Sequence, residues 1–114
     1  MKVVEAKGLP YRELNREVRR LLTAGEERLL LRGINGQRYI GAGLTGAARL
    51  EIEGTAGNNL GAMMDGLTVY VDGNVQDGAG NTMSGGEIIV RGSAGDITGY
   101  AMRGGKIFIQ GNAG

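Results

Sequence analysis

The sequence predicts a mainly β fold, a right-handed single-stranded parallel β-helix of 19-residue coils with one amphipathic α-helix before it. Two observations carry this. Glycines between Ala48 and Gly114 fall into columns 19 residues apart: Gly54, Gly73, Gly92 and Gly111; Gly61, Gly80 and Gly99; Gly66, Gly85 and Gly104; and Gly57, Gly95 and Gly114, with Gln76 as the one departure. Each first-column glycine follows an alternating stretch, namely Leu50–Glu53, Val69–Asp72, Ile88–Arg91 and Ile107–Gln110. A unit of that length holds one clear strand and two shorter extended segments between glycine corners, with no room for a helix. One repeat is therefore one coil of a β-solenoid.

From the N-terminus, Met1–Ala6 alternates weakly and reads as a short strand. Gly8-Leu9-Pro10 punctuates the chain, with Pro10 placed for the first turn of a helix. From Tyr11 to about Ala24, Leu14, Val18, Leu21 and Leu22 form one apolar stripe, and Gly25 suits the C-terminal cap. Residues 1–27 thus form a strand and helix head, and 28–114 the coils. Arg28–Gly33 reads as the first coil strand. Gly33 and Gly54 lie 21 residues apart, which places a two-residue insertion around Gln37–Leu44.

Period-2 alternation sends Leu50 and Ile52, Val69 and Val71, Ile88 and Val90, and Ile107 and Ile109 inward, with Met64, Met83 and Met102 as a further inner ladder. Ala56, Val75, Ala94 and Ala113 suit a tight inner corner. The column glycines are structural turn residues, at corners that need positive φ or close approach between coils. If its corner has positive φ, Gly92 is such a position. The outward column Glu51, Tyr70, Ile89, Phe108 turns apolar along the stack, so Tyr70, Ile89 and Phe108 are interface candidates, covered by the N-terminal helix or by a partner. The last coil, ending at Gly114, lacks a polar cap. It is expected to continue as a longer domain or to be covered by homo-oligomerisation through the open coil.

Composition narrows the chemistry. Among 114 residues there is no cysteine and no histidine, which removes thiolate nucleophiles, imidazole acid–base catalysis and most zinc sites. The net charge of +1 hides an asymmetry, because residues 1–38 carry nine basic and five acidic groups, a net of +4. The remainder is slightly acidic, so the head suits an acidic partner surface better than nucleic acid. No apolar run reaches the ~20 residues of a membrane span, and a cytoplasmic protein is expected.

Gly41-Ala42-Gly43-Leu44-Thr45-Gly46 matches a dinucleotide fingerprint in letters only, since a strand and not a helix follows it. Asp77 and Asp96 lack the nine-residue companion of a calcium-binding β-roll. Glu53, Asp72 and Arg91 share an outward column that reads as a solvated ladder rather than a glycan-cleaving groove. No catalytic, cofactor-binding or metal-binding residue is assigned.

The recurring glycine unit, Gly54-Gly57-Gly61 and Gly92-Gly95-Gly99 with the partial Gly73-Gln76-Gly80, resembles the GXGXG domain at the C-terminal end of the glutamate synthase large subunit. A β-helical subunit of formylmethanofuran dehydrogenase shares that family. Lys7-Gly8 before the basic helix, and Ile34-Asn35-Gly36-Gln37-Arg38-Tyr39-Ile40-Gly41 after it, look like the opening segment of the glutamate synthase version. The match spans the whole chain but about the first half of the usual domain. The resemblance implies a non-catalytic scaffold in glutamate biosynthesis, packed against an amidotransferase domain and a synthase domain carrying FMN and an iron–sulfur cluster. Those domains pass ammonia from glutamine to 2-oxoglutarate. The alternatives are a β-helix like that of formylmethanofuran dehydrogenase, beside a molybdenum or tungsten enzyme, and a self-associating solenoid without an enzyme partner.

Overall fold

The structure, a computed structural model, describes residues 1–114. It is a parallel β-solenoid of about four turns with one helix near its N-terminus. Its strands are β1 (Lys2–Glu5), β2 (Arg28–Asn35), β3 (Arg49–Thr55), β4 (Asp65–Asp72), β5 (Gly85–Val90) and β6 (Lys106–Ile109). They form one sheet in chain order, and every neighbouring pair is parallel. The rest of each coil supplies the other walls, and there Ala56, Val75, Ala94 and Ala113 pair in parallel as single bridges.

Helix α1 (Tyr11–Thr23) turns Leu14, Val18 and Leu21 inward. A Schellman motif ends it: Glu26 N donates to Leu21 O and Gly25 N to Leu22 O, both at 3.1 Å, with Gly25 at φ +98°. Strand β1 pairs with β2, so the helix lies across the first coil, where further coil would otherwise stack. Gln37 locks this head in place. Its Nε2 donates to Ala6 O (3.0 Å) and Leu9 O (3.1 Å), and its Oε1 accepts from Asn35 N (2.7 Å). It is the one buried polar side chain of the core, and its amide nitrogen and its oxygen are both hydrogen-bonded.

The core is a stack. Leu29, Leu50, Val69 and Ile88 form one fully buried row, and Leu31, Ile52, Val71 and Val90 another. Met64 and Met83 fill the opposite wall. The final rung is open, for Ile107, Ile109 and Met102 are half-buried and Ala113 is exposed. Each inner residue is covered by a neighbouring coil, so burial of ~1.5–3 kcal/mol per large aliphatic side chain accrues between coils and not within one.

Two expectations about the backbone are corrected. The extra residues of the first coil do not lie around Gln37–Leu44. One is a bulge in β2, where Leu31 pairs with Ile52 but Ile34 with Gly54; the other falls between Thr45, paired with Asp65, and Arg49, paired with Thr68. Gly33, at φ +73°, makes the bulge, and Gly46, at φ +115°, lies in the second insertion. Glycine pairing therefore shifts, and Gly54 stacks on Ile34 instead of Gly33. Gly92 does not have positive φ. A Cβ there would strike Asn74 Oδ1 and lie 2.5 Å from the Gly73 carbonyl oxygen, so close approach of coils alone demands glycine. In the Gly66, Gly85, Gly104 column the left-handed conformation likewise passes from Gly66 to Gly86 and Gly105, because Asp65 pairs with Gly85.

The corner opposite the sheet has one repeated design. Each coil makes two successive i→i+3 turns, for example Ala62 N to Asn59 O and Met64 N to Gly61 O, both at 3.1 Å. The third residue of such a turn has positive φ. The shared central residue is always glycine (Gly41, Gly61, Gly80, Gly99), and a Cβ on Gly61 would lie 2.8 Å from Ile88 Cδ1 inside the core. The flanking positions are also left-handed yet tolerate side chains, including Tyr39, Met63, Thr82 and Ile97, at ~1–3 kcal/mol each. The Gly41–Gly46 fingerprint is thus a pair of turns, and no helix opens from it.

Candidate functional site

The outward face of the sheet is built from three columns. The central one runs Val3, Leu30, Glu51, Tyr70, Ile89, Phe108 in register. Tyr70 and Ile89 are half-buried, and Phe108 is 50% exposed. Charged columns flank it. On one side Arg28 reaches Glu51 at 3.1 Å and Arg49 reaches the same carboxylate at 3.7 Å, with the Arg49 guanidinium 5.7 Å from the Tyr70 ring centroid. On the other side Arg32 bridges Glu5 (3.5 Å) and Glu53 (3.8 Å), and Arg91 meets Asp72 at 3.8 Å. Glu53, Asp72 and Arg91 are therefore a solvated ion-pair column on a flat sheet, worth little individually.

The helix does not cover this face. Its side chains share clefts with β1 and with coil-one residues such as Tyr39, Leu44 and Ala48, and none with Tyr70, Ile89 or Phe108. Amphipathic spacing revealed which side of α1 is buried but not which part of the solenoid buries it. Of the two covers expected for the column, the helix is therefore ruled out.

Across the first residues of β4, β5 and β6 lies a shallow groove of ≈ 390 Å³ lined by Gly66, Thr68, Gly86, Glu87, Gly105 and Lys106. Lacking side chains along its glycine wall, it would let another chain approach the backbone closely. A different corner carries polar ladders that sequence reasoning missed. Asn58 Oδ1 accepts from Asp77 N (3.0 Å), and Asp77 Oδ1 from Asp96 N (2.7 Å). Asn74 Oδ1 accepts from Ser93 N (2.8 Å), and Ser93 Oγ from Asn112 N (3.1 Å). Each acceptor lies 19 residues before its donor, and that spacing was the available signal.

At the head, Tyr11 gathers charge. Arg38 Nη2 donates to its hydroxyl at 3.3 Å and Arg12 Nε at 3.1 Å, and these hydrogen bonds hold the phenol below its ordinary pKa. Arg38 also lies 4.4 Å from the Tyr11 ring centroid. Nowhere do three or more carboxylates gather to hold a metal ion. No helix is long and apolar enough to cross a membrane.

Coils stacked in register, cornered by glycine and faced with an ion-paired sheet, define a β-solenoid module. The GXGXG motif family model matches residues 29–114, and the chain belongs to that family. Such a domain is glutamate synthase-like. An uncharacterized protein of Methanocaldococcus jannaschii, MJ1350, is 40% identical over 72 residues, which are 60% of this chain and 28% of that protein. The chain thus spans well under a third of that relative's length. No solved structure matches it.

Proposed function

We propose that this chain is a non-catalytic scaffold of a glutamate synthase, packing against the amidotransferase polypeptide and the FMN- and iron–sulfur-containing synthase polypeptide. The family match over residues 29–114 carries the reading. The chain's own chemistry supports it, since a protein without cysteine or histidine offers no thiolate for a cluster and no imidazole for proton transfer. FMN and the cluster belong to the partner in this account. The contact surface is the central outward column, with Tyr70, Ile89 and Phe108 as the side chains that a partner covers.

The test is co-purification of the tagged chain from its source cells, with the bound polypeptides identified by mass. The expected result is recovery of an FMN-dependent synthase polypeptide and an amidotransferase polypeptide, both lost when Ile89 and Phe108 are changed to Asp. Recovery of neither would refute the scaffold reading. Recovery of both by the variant would refute the contact surface alone.

A further inference from the structure

A different face makes a second offer. The left-handed positions flanking the central corner glycine are where glycine or asparagine would be least strained and a polar side chain best solvated. Three of them carry large side chains turned outward: Tyr39 is 42% exposed, Met63 60% and Ile97 60%. Tyr100, 64% exposed, adds to the same edge in the coil of Ile97. Left-handed backbone set by the turns and exposed apolar surface coincide along this edge, and nothing in core packing requires the apolar side chains.

The edge is also bipolar. Beside Tyr39 stand Arg38 and the flank of α1 that carries Arg12, Arg16 and Arg19, spaced i, i+4, i+7. None of these four has a carboxylate partner. Later coils place Asp77 and Asp96, both exposed, in the stacking column that begins at Arg38. Exposed Asp65 and Arg103 border the other side of the turns. The basic end thus carries four unpaired cations, while the opposite end is net acidic even with Arg103 counted.

We propose that this edge is the interface of an isologous dimer of the chain, with two copies antiparallel. The basic helix flank of each then faces Asp77 and Asp96 of the other, and Tyr39, Met63 and Ile97 pack between. Two-fold pairing satisfies both ends at once, which is why a second copy fits better than a uniformly acidic partner or a nucleic acid.

Sedimentation of the 114-residue chain across a concentration series, at low and high salt, tests this. The expected result is a dimer that weakens as salt rises. Ile97→Asn, a residue suited to left-handed backbone, should weaken it about tenfold or more while leaving the unfolding midpoint no lower. Arg16→Glu and Asp96→Lys should each weaken it, and the two together should restore it, a recovery that misfolding cannot produce. A monomer at every concentration in low salt would overturn the proposal and assign the edge to another molecule. A dimer indifferent to Ile97→Asn and to the charge exchange would overturn it too, placing self-association elsewhere, such as at the β6 edge.

Discussion

Replacing Gln37 by Met keeps the volume and removes three hydrogen bonds. The carbonyl of Ala6, a fully buried residue, keeps only the Leu9 amide as donor, that of the half-buried Leu9 loses its donor, and the Asn35 amide loses its acceptor. At ~1 kcal/mol net per lost bond, the loss is about 3 kcal/mol. That is a large part of the ~5–15 kcal/mol typical of a domain. Urea unfolding followed by far-ultraviolet circular dichroism should show a lower midpoint, and helix α1 should lose amide protection before the sheet. Gln37→Glu sharpens the test. It keeps the acceptor for Asn35 but turns a carboxylate toward two carbonyls, so burial and those dipoles raise its folded pKa above the unfolded one. Such a group stabilises below the unfolded pKa and loses that contribution as pH rises through the folded value, so this variant should gain stability on acidification. A loss below about 1 kcal/mol for Gln37→Met, or a Glu variant indifferent to pH, would show that the head is held by its apolar stripe alone.

Other consequences are equally direct. A Cβ on Gly54 would strike the Ile34 carbonyl oxygen, whereas one on Gly43 meets nothing within 4 Å, although both glycines have positive φ. Gly43→Ala should cost about 1 kcal/mol and Gly54→Ala several times more, and equal midpoints in urea would refute the close-approach argument. In ultraviolet titration of the four tyrosines, Tyr11 should ionise before the others, and Arg38→Gln should move it back. Because its folded pKa is the lower one, its ionisation adds stability as pH rises toward the unfolded value; a single unresolved titration step would count against the pairing. Asn74→Ala should cost about 0.5–1.5 kcal/mol and raise hydrogen exchange at the Ser93 amide while sparing that of Val90. Unchanged exchange at Ser93 would mean that water replaces the ladder freely.

Periodicity made much of this legible in advance. Strict alternation placed Leu50, Ile52, Val69, Val71, Ile88 and Val90 inside, and the i, i+4, i+7 pattern bounded the helix. What escaped were features without a residue-type signal. Asn74, Ser93 and Asn112 are not one amino acid, and Asn74 and Ser93 share only an oxygen within reach of the next coil. Ile97 is β-branched, so nothing in its side chain announces a left-handed backbone. Gly92 looked like a turn residue because glycine serves both φ and proximity, and letters do not separate the two. The outward apolar column was visible, but the position of α1 across the end depends on β1 joining the sheet, and a four-residue strand announces no partner.

The 21-residue first coil gives way to coils of 19, and Arg49–Glu53, Thr68–Val71 and Glu87–Val90 each pair with residues 19 further on, the one local shift lying between Asp65 and Thr68. Chain length in this region therefore has its own unit of change. Deleting a single residue between Thr68 and Gly86 would turn the following strand inside out, with Ile89 in the place of Ile88 and Arg91 in the place of Val90 in the core. Excising Thr68–Gly86 whole would bring Ile88 onto Leu50 and Val90 onto Ile52, the same inner rows with one rung fewer. The larger excision should leave a chain that still unfolds cooperatively, and the smaller one should not; the opposite outcome in thermal melts would show that the coils are not interchangeable. Insertions and losses in such a molecule are tolerated by the turn and not by the residue, as links are in a chain.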